Sequence, residues 1–514
     1  MRKRSATIPA ILLKIFAVCF SAASFWMLML AIVQSAQSGY YLPIAIAPLI
    51  VFALLIAWKK GRALYHRIPA VILTRIFLCA CAVSLFAMLY LSYRLRLTYG
   101  VDTWDFSRLH IDAYRRASGE TLNYSYYAKY KNNQLLLLIL SLLARITRLF
   151  AANDGQEVFH QLSMAVNCTA ILSSVVLCFF SVKRTRGVHF AFLSGLFLLF
   201  YLPLWLYSPI YYTDTMGLPL IVLPAFLYTF LKDGKTARNI VLFCLMGLIA
   251  ATGMKLKASI VFAFIAIGIT VLLFDRLRLK LLFVLCGTVT LVLAAFLLQR
   301  GIDKSLNLTK ADYDRWQFPY SHWIMMSLGD SGGYDASLVK YTGSFETLDE
   351  RREAVAEKTK ELLHERGFSG TVRHLFVTKA QHAWGNGTLS ATYYLGREPA
   401  ENGVFQRFFT QKGASFRYCY TWLQTEHLLV LFFLMLSGLH LFRHPKGGIV
   451  AITNITVFGL FLFLLLWECN ARYLVHIVPF LIVGASNGAS ALGNCIQSRE
   501  NADTGRANAI YFKS

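Results

Sequence analysis

Residues Gln134–Phe150 read QLLLLILSLLARITRLF, and whether this run crosses a membrane decides the topology of the whole chain. The run is about 17 residues long, which is marginal for a helix that must span roughly 30 Å of hydrocarbon. Arg145 and Arg148 interrupt its second half, and a guanidinium group is costly at bilayer depth. The length of the run does not show whether it crosses the membrane, so the prediction has to come from the flanking sequence.

The composition is that of a polytopic membrane protein. Of the 514 residues, 56% are hydrophobic and 15% are charged, and the mean hydropathy is +0.51. Several apolar runs reach the ~18–20 residues that span a bilayer as a helix. The formal net charge of +24 could suit nucleic acid, but no basic stripe with interleaved aromatic residues lies in a soluble segment. We therefore expect a cell-membrane protein whose partner is the lipid bilayer and not nucleic acid.

Most lysines and arginines form short clusters between apolar runs, which is the positive-inside signal that orients membrane helices. Three of these clusters are KRTRG at 183–187, KDGKTAR at 232–238 and DRLRLK at 275–280. If residues 134–150 crossed the membrane, all three clusters would lie outside; if they do not, all three lie in the cytoplasm. We therefore predict that 134–150 form a re-entrant or juxtamembrane helix.

With this choice the sequence predicts an all-α polytopic membrane protein with about 12 transmembrane helices and both termini in the cytoplasm. The predicted spans are 8–34, 41–58, 68–93, 158–182, 188–208, 213–231, 239–254, 258–274, 279–299, 426–443, 448–467 and 473–493. The predicted parts are two N-terminal helices at 1–67, a core at 68–299 with an external loop at 94–157, an external cap at 300–425, C-terminal helices at 426–494 and a cytoplasmic tail at 495–514.

Two acidic positions near the predicted outer face are candidates for chemistry. Asp102 and Asp105 are three residues apart and would share one face of a helix, where a carboxylate could deprotonate an acceptor hydroxyl or hold a divalent cation. Alternatively, Asp105 caps the helix FSRLHIDAYRRA. Asp214 opens the apolar run MGLPLIVLPAFLYTF, where Thr213 or Thr215 could provide the cap instead. We therefore expect Asp214 to orient a cation or an acceptor.

Basic residues at the same predicted face are candidates for binding a phosphate. Lys255 and Lys257 interrupt an apolar stretch where the chain should turn, and they either snorkel to the interface or pair with a phosphate. The planar fork of Arg472 suits bidentate phosphate contact. Glu468 lies four residues before Arg472, so these two could instead pair with each other. Ionisable residues at the ends of membrane helices are functional candidates in either case.

The predicted cap contributes a solvated helix and two aromatic segments. The run FETLDERREAVAEKTKELLHERG, 345–367, has Glu and Lys three or four apart, which is typical of a solvated helix face. The segments around His322 and Trp384 could form a sugar-stacking or lipid-facing surface, or the core of the cap. The chain contains no HExxH, GxSxG or P-loop motif, so hydrolase and ATPase functions lack their usual support.

Several of these motifs resemble the C-type superfamily of bacterial integral-membrane glycosyltransferases, which includes protein O-mannosyltransferases and the aminoarabinose transferases of lipid A. The resemblance spans about residues 68–494 and lies in WDFSRLHIDA, YYAKYKNNQLLLL, YSPIYYTDT and ARYLVHIVPF. HWIMMSLGDSGGY and HAWGNGT resemble envelope-associated members from Gram-positive bacteria. Tyr130-Lys131 departs from the Tyr-Pro that the superfamily often has in this loop.

The resemblance implies a hexosyltransferase-type enzyme that uses a polyprenyl-phosphate sugar and acts on a cell-envelope acceptor outside the membrane. It places the catalytic base or metal ligand at Asp105, with Asp102 as the alternative, and a second acid at Asp214. Arg472 would face the donor phosphate. A divalent ion, Mg²⁺ or Mn²⁺, would then be held by Asp105 and Asp214.

A transporter or lipid flippase for envelope precursors is the rival hypothesis. It requires charged residues near mid-span, whereas these candidates lie at helix ends.

Overall fold

The computed structural model describes residues 8–100, 104–151 and 155–511, with side chains up to residue 495. Within these residues the secondary structure is helical, and its β structure is a single bridge between Leu97 and Pro399. The all-α polytopic fold predicted from hydropathy is therefore confirmed. Asp102 lies outside the described residues.

The helices are numbered in chain order. They are α1 Ile8–Gln37, α2 Leu42–Tyr65, α3 Ala70–Arg94, α4 Asp105–Ala117, α5 Ser125–Lys129, α6 Gln134–Phe150, α7 Gly155–Arg186, α8 Val188–Leu199, α9 Leu202–Leu206, α10 Thr213–Met216, α11 Leu218–Tyr228, α12 Thr236–Leu256, α13 Val261–Leu273, α14 Lys280–Leu306, α15 Lys310–Trp316, α16 Tyr320–Met326, α17 Ala336–Gly343, α18 Leu348–Arg373, α19 Ala380–Trp384, α20 Ala391–Leu395, α21 Val404–Phe409, α22 Phe416–Arg443, α23 Ile449–Leu466 and α24 Val478–Tyr511. Short 3₁₀ turns cover Lys131–Asn133, Ala258–Ile260 and Ala471–Ile477, and a π-helical turn covers His374–Lys379.

Several predicted spans correspond to helices that extend beyond them. Helix α14 continues to Leu306 rather than 299, and α22 begins at Phe416 rather than 426. The cap between them is therefore residues 307–415. Hydropathy marks where a helix leaves the hydrocarbon, but backbone hydrogen bonding continues the helix into the polar layer. Helix α24 likewise runs to Tyr511, through the segment predicted as a tail.

Two predicted spans, 188–208 and 213–231, are each broken in two. The first divides into α8 and α9, and the second into α10 and α11. Pro203 and Pro219 lie in the first turn of α9 and α11. A proline has no amide hydrogen to continue the preceding helix, so a helix restarts at it. The corner between α9 and α10 carries Tyr212 and leads directly into Asp214.

The contacts around helix α6 favour a segment that does not cross the membrane. By length and composition alone, Lys131–Phe150 is among ten candidate spans in the described residues. However, the Tyr99 hydroxyl, just after α3, donates to Glu157 Oε2, at the start of α7, at 2.9 Å. The end of α3 and the start of α7 therefore lie on one face, which we call the cavity face. Helix α6 packs beside the short polar helix α4, as expected for a juxtamembrane segment.

The described residues contain ten helices that are long and apolar enough to cross a membrane, α6 among them, and three shorter apolar helices, Val188–Leu199, Thr213–Tyr228 and Ala258–Leu273. Without α6 these are twelve candidate crossings, in line with the number predicted from the sequence.

Glycines allow some membrane helices to pack in direct backbone contact. A Cβ added at Gly247 of α12 would overlap the carbonyl oxygen of Gly287 on α14, and one at Gly488 of α24 would overlap that of Phe433 on α22. Small residues at such positions let helices approach closely in lipid, where there is no hydrophobic force between them.

We expect Gly247→Val to destabilise the protein strongly. The added side chain must displace the backbone of α14, and such overpacking costs about 1–3 kcal/mol or more. Gly268→Ala is the matched control, because a Cβ there meets only Val284 Cγ1 at 3.7 Å. Thermal unfolding in detergent should show a clearly lower Tm for Gly247→Val than for Gly268→Ala. Equal Tm values would contradict the close packing of α12 and α14.

A buried lysine in the cap forms hydrogen bonds to the end of a membrane helix. Lys379, at the end of the π-helical turn, is fully buried. Its Nζ donates to the carbonyl oxygens of Leu465 and Trp467, at the end of α23, at 3.0 and 3.1 Å. Because burial disfavours the charged form, the pKa of Lys379 is lowered to about 8 from its usual 10.5.

This shifted pKa predicts a pH-dependent stability. Between pH 8 and pH 10.5 the unfolded chain holds the Lys379 proton more tightly than the folded chain, so stability rises with pH in this window. The cost of burying the charge is fully present below pH 8 and amounts to about 3 kcal/mol. The Tm of the wild type relative to Lys379→Met should therefore increase from pH 8 to pH 10. A difference that stays constant would show that Lys379 titrates at its ordinary pKa.

Candidate active site

A cavity of about 1560 Å³ lies at the cavity face, between the helix ends and the cap. Among the described residues, its lining contains seven lysines and arginines but only two acids, Asp105 and Glu468. The cations are Arg108, Lys129, Lys131, Lys255, Lys257, Arg397 and Arg472. A concave site with this excess of positive charge favours an anionic ligand.

Asp105 is held in the cavity by hydroxyl groups. The backbone of Trp104 provides the N-cap of α4, and the Asp105 side chain makes no capping bond. Instead, its Oδ1 accepts from the Tyr126 hydroxyl at 2.5 Å, and the Tyr212 hydroxyl lies 3.1 Å from its Oδ2. Asn133 lies between the two tyrosines, 2.7 Å from the Tyr126 oxygen and 3.0 Å from that of Tyr212. The alternative role of Asp105 as a helix cap is therefore not realised.

The Tyr126 hydroxyl is a stable hydrogen-bond donor to the Asp105 carboxylate. Burial, together with the Asp105 charge, raises the pKa of Tyr126 well above its usual value. Tyr126 is therefore a protonated donor at any ordinary pH. Among the described residues, the hydrogen-bond partners of Asp105 are hydroxyl groups and not cations.

Asp214 forms a separate cluster with two cations. Its carboxylate is 1% exposed and is ion-paired through Oδ1 with Lys257 Nζ. Its Oδ2 lies 3.3 Å from Arg472 Nε. Lys257 and Arg472 line the cavity, whereas Asp214 lies behind them. One carboxylate shared between two cations leaves a net positive charge, so Asp214 acts structurally as their counter-ion.

Aromatic rings fix the direction of Arg472. Its guanidinium carbon lies 5.0 Å from the ring centroid of Tyr212 and 4.9 Å from that of Tyr394. A guanidinium group stacks well on aromatic faces, and the stacking restricts where its N–H groups can point. Tyr212 therefore touches both Asp105, through its hydroxyl, and Arg472, through its ring.

The alternative pair between Glu468 and Arg472 is not formed. The Tyr473 hydroxyl donates to Glu468 Oε2 at 2.6 Å, and the ring of Tyr473 lies 4.2 Å from Lys257 Nζ. The 3₁₀ turn begins only at Ala471, so Glu468 is not one helical turn away from Arg472. Glu468 does line the cavity, and burial raises its pKa.

Lys255 also lines the cavity, and an apolar groove adjoins it. Its Nζ donates to Gln299 Oε1 at 2.9 Å, and Gln299 follows Leu298, which lines the groove. The groove has a volume of about 470 Å³ and lies between α6, α12 and α14. It is lined by Leu135, Leu138, Leu248, Ala294, Leu297, Leu298, Gly301 and Ile302.

Two predicted substrate-binding residues lie outside the cavity lining. His322 is fully buried, and its Nδ1 is 2.8 Å from Thr342 Oγ1. Burial lowers its pKa to about 4, so it is neutral at pH 7. Trp384 is 1% exposed, and its carbonyl oxygen accepts from His427 Nε2 at 2.6 Å. Both residues belong to the packed core, which is the alternative that the sequence had left open.

The tyrosines that hold Asp105 and Arg472 were not predicted from the sequence as site residues. Tyr126 lies in YYAKYKNNQ and Tyr212 in YSPIYYTDT, both of which stand out only as aromatic segments. Tyrosines at membrane interfaces are common for reasons unrelated to catalysis. The sequence did place Tyr126 and Asn133 in the segment that follows Asp105, and Tyr212 two residues before Asp214. All of these segments were predicted on one face, and that was the available signal.

The described residues do not fit the expected site for a divalent cation. They contain no group of three or more His, Cys, Asp and Glu side chains placed to hold a metal ion. Asp214 is taken up by Lys257 and Arg472, and both oxygens of Asp105 face tyrosine hydroxyls. Asp105 and Asp214 thus belong to two different clusters.

The apolar helices define a multi-pass integral membrane protein, and the described residues form a cation-rich cavity in it. Over residues 3–491 the chain matches the family model described as "Conserved hypothetical integral membrane protein", and it belongs to that family. No curated protein matches the chain. Among solved structures it is similar to the crystal structure of ArnT from Cupriavidus metallidurans bound to undecaprenyl phosphate, with 12% identity and a TM-score of 0.32. That match covers 81% of this chain and 77% of the ArnT chain.

Proposed function

We propose that the protein is a membrane glycosyltransferase that moves a sugar from a polyprenyl-phosphate donor to a cell-envelope acceptor outside the membrane. The observation that carries the proposal is the position of Tyr212. Its hydroxyl bonds the Asp105 carboxylate, and its ring packs against Arg472. A proton acceptor and a cationic cluster therefore lie on either side of one residue in a single cavity.

This arrangement suits displacement at a sugar carbon that bears a phosphate. Asp105 takes the proton of an acceptor hydroxyl as that oxygen bonds to the anomeric carbon. The bond between the anomeric carbon and the phosphate oxygen breaks, and its electron pair remains on the phosphate. Lys257 and Arg472 offset the charge that develops there, because they are fixed in place before the reaction. Asp214 acts as a positioning residue that holds both cations.

The surroundings of Lys255 support a lipid-linked donor. A polyprenyl phosphate has one anionic end and a long hydrocarbon chain, so it needs a cation next to an apolar surface. Lys255 and the apolar groove between α6, α12 and α14 provide this combination.

The test is sugar transfer by the purified protein from defined polyprenyl-phosphate sugars to envelope extracts. We expect labelled sugar in the extract and release of polyprenyl phosphate, and no transfer from nucleotide sugars offered without lipid. If no lipid-linked donor is consumed, the proposal is wrong. Movement of labelled lipid across proteoliposomes without chemical change would then favour a flippase.

A further inference from the structure

The cavity has a second part that begins next to Asp105, and Tyr394 at its start also packs against Arg472. It starts at Trp104, whose ring stacks on that of Tyr394 with centroids 4.7 Å apart. Arg397 lies over Trp104 at 5.8 Å and over Tyr393 at 6.0 Å. We call this part, together with its continuation to the end of α1, the hydroxyl arm.

The far end of the hydroxyl arm is a pair of aromatic rings beside polar side chains of α1 and its following turn. Tyr40 and Tyr420 are 4.3 Å apart between ring centroids. Next to them, Gln34 Nε2 donates to Ser38 Oγ at 3.2 Å. All four side chains line the cavity. They offer ring faces, an amide and hydroxyl groups, but no charge.

The middle of the arm is the loop before α20, which carries Ser390 at the cavity lining. Its neighbours Thr388 and Thr392 are each 2% exposed, whereas Ser390 is half-buried. The Ser390 hydroxyl donates to Asn470 Oδ1 at 3.1 Å, which connects the loop to the segment that carries Arg472. The amide of Gln424 holds the start of the loop, accepting from Gly387 N at 2.7 Å and donating to the Gly385 oxygen at 2.9 Å. The Ser390 hydroxyl is therefore presented on a fixed backbone.

The charge of the arm differs from that of the rest of the cavity. Among the described residues that line the arm, Arg397 is the cation, and none is an acid. Of the other six lysines and arginines in the cavity lining, Arg472 borders the arm through its contact with the Tyr394 ring. A polyanionic acceptor would need cations along its length, whereas hydroxyl and amide groups alternating with ring faces fit a neutral polyol.

We propose that the hydroxyl arm binds an uncharged oligosaccharide as the acceptor, with a terminal hydroxyl directed to Asp105. The inference rests on the proposed glycosyltransferase function and specifies its acceptor class. A sugar ring stacks on Tyr40, and the Ser390 hydroxyl and the Gln34 amide bind sugar hydroxyl groups. Phosphate-containing polymers and peptides are then poor acceptors.

The experiment offers the purified full-length protein one lipid-linked donor and three acceptor classes: a panel of neutral hexose and N-acetylhexosamine oligosaccharides, a poly(glycerol phosphate) oligomer and a Ser/Thr peptide. We expect transfer to neutral oligosaccharides only. Tyr40→Leu should raise the KM for the oligosaccharide about tenfold, because one stacking partner is lost. Tyr40→Phe, which keeps the ring, should leave that KM within about threefold, and both variants should keep the donor KM of the wild type.

The outcomes separate the two proposals. Transfer to the phosphate polymer or the peptide but to none of the oligosaccharides overturns the acceptor inference, while the glycosyltransferase function stands. Equal acceptor KM values for Tyr40→Leu and the wild type also overturn it. If donor is not consumed with any acceptor, both proposals fail.

Discussion

Asp105→Asn should lower kcat/KM for sugar transfer by about 10³-fold without unfolding the protein, since a general base typically contributes 10²–10⁴-fold. The amide oxygen of the new side chain can still accept from Tyr126 or Tyr212, which preserves the local geometry. It cannot take a proton from the acceptor, so only the chemical step is lost. The measurement is steady-state transfer with wild type and variant matched for yield and Tm.

Asp112→Asn is the control for this prediction. It makes the same chemical change on the same helix, at a buried position that is outside the cavity lining. There the carboxylate accepts from the Tyr127 hydroxyl at 2.9 Å and lies 3.6 Å from Arg108 Nε. We expect its kcat/KM to stay within about tenfold of the wild type, since it loses one charge-assisted contact and no reacting group. Equal losses in the two variants would show that Asp105 acts through folding and is not the base.

Arg472→Met should lower kcat/KM for the lipid-linked donor by about 10²–10³-fold, the usual cost of removing a group that stabilises charge in the transition state. The change removes the cation that stacks on Tyr212 and Tyr394 and leaves Asp214 with Lys257 alone. The loss should appear in binding of a polyprenyl phosphate as well as in kcat, because the same charge faces the ground-state phosphate. Titration of tryptophan fluorescence with the lipid measures the binding part.

Arg472→Lys distinguishes charge from shape at this position. It keeps one positive charge but loses the planar fork and its stacking, so we expect a loss of about tenfold. Arg417→Met is the neutral control, because Arg417 is exposed and outside the cavity lining. If Arg472→Met keeps the donor affinity and activity of Arg417→Met, the cationic cluster is not the donor phosphate site.

Much of the fold could be predicted because it depends on local sequence properties. Residues 134–150 illustrate this, since their short length and the basic clusters downstream favoured a helix that does not cross. The bond between Tyr99 and Glu157 agrees with that prediction. Helix ends were predicted less well, as at α14 and α22, because hydropathy reports the thickness of the hydrocarbon and not the limit of hydrogen bonding.

The candidate site was predicted only in part. Asp105, Lys255, Lys257, Arg472 and Glu468 all reach one cavity, as expected for costly polar groups at helix ends. His322 and Trp384 do not, because a histidine or tryptophan in a cap segment can face its core as readily as a cleft, and no local pattern distinguishes the two.

The sequence by itself determined that this is a polytopic helical membrane protein and which residues are polar at its cavity face. Both follow from hydropathy and charge, which add up residue by residue along the chain. Only the tertiary structure decided the partners of each acid. Asp214 pairs with Lys257, 43 residues away, and Asp105 bonds Tyr212, 107 residues away. Such contacts depend on how separate helices pack, so a carboxylate that pairs with cations and one that is held by tyrosine hydroxyls look alike in the sequence.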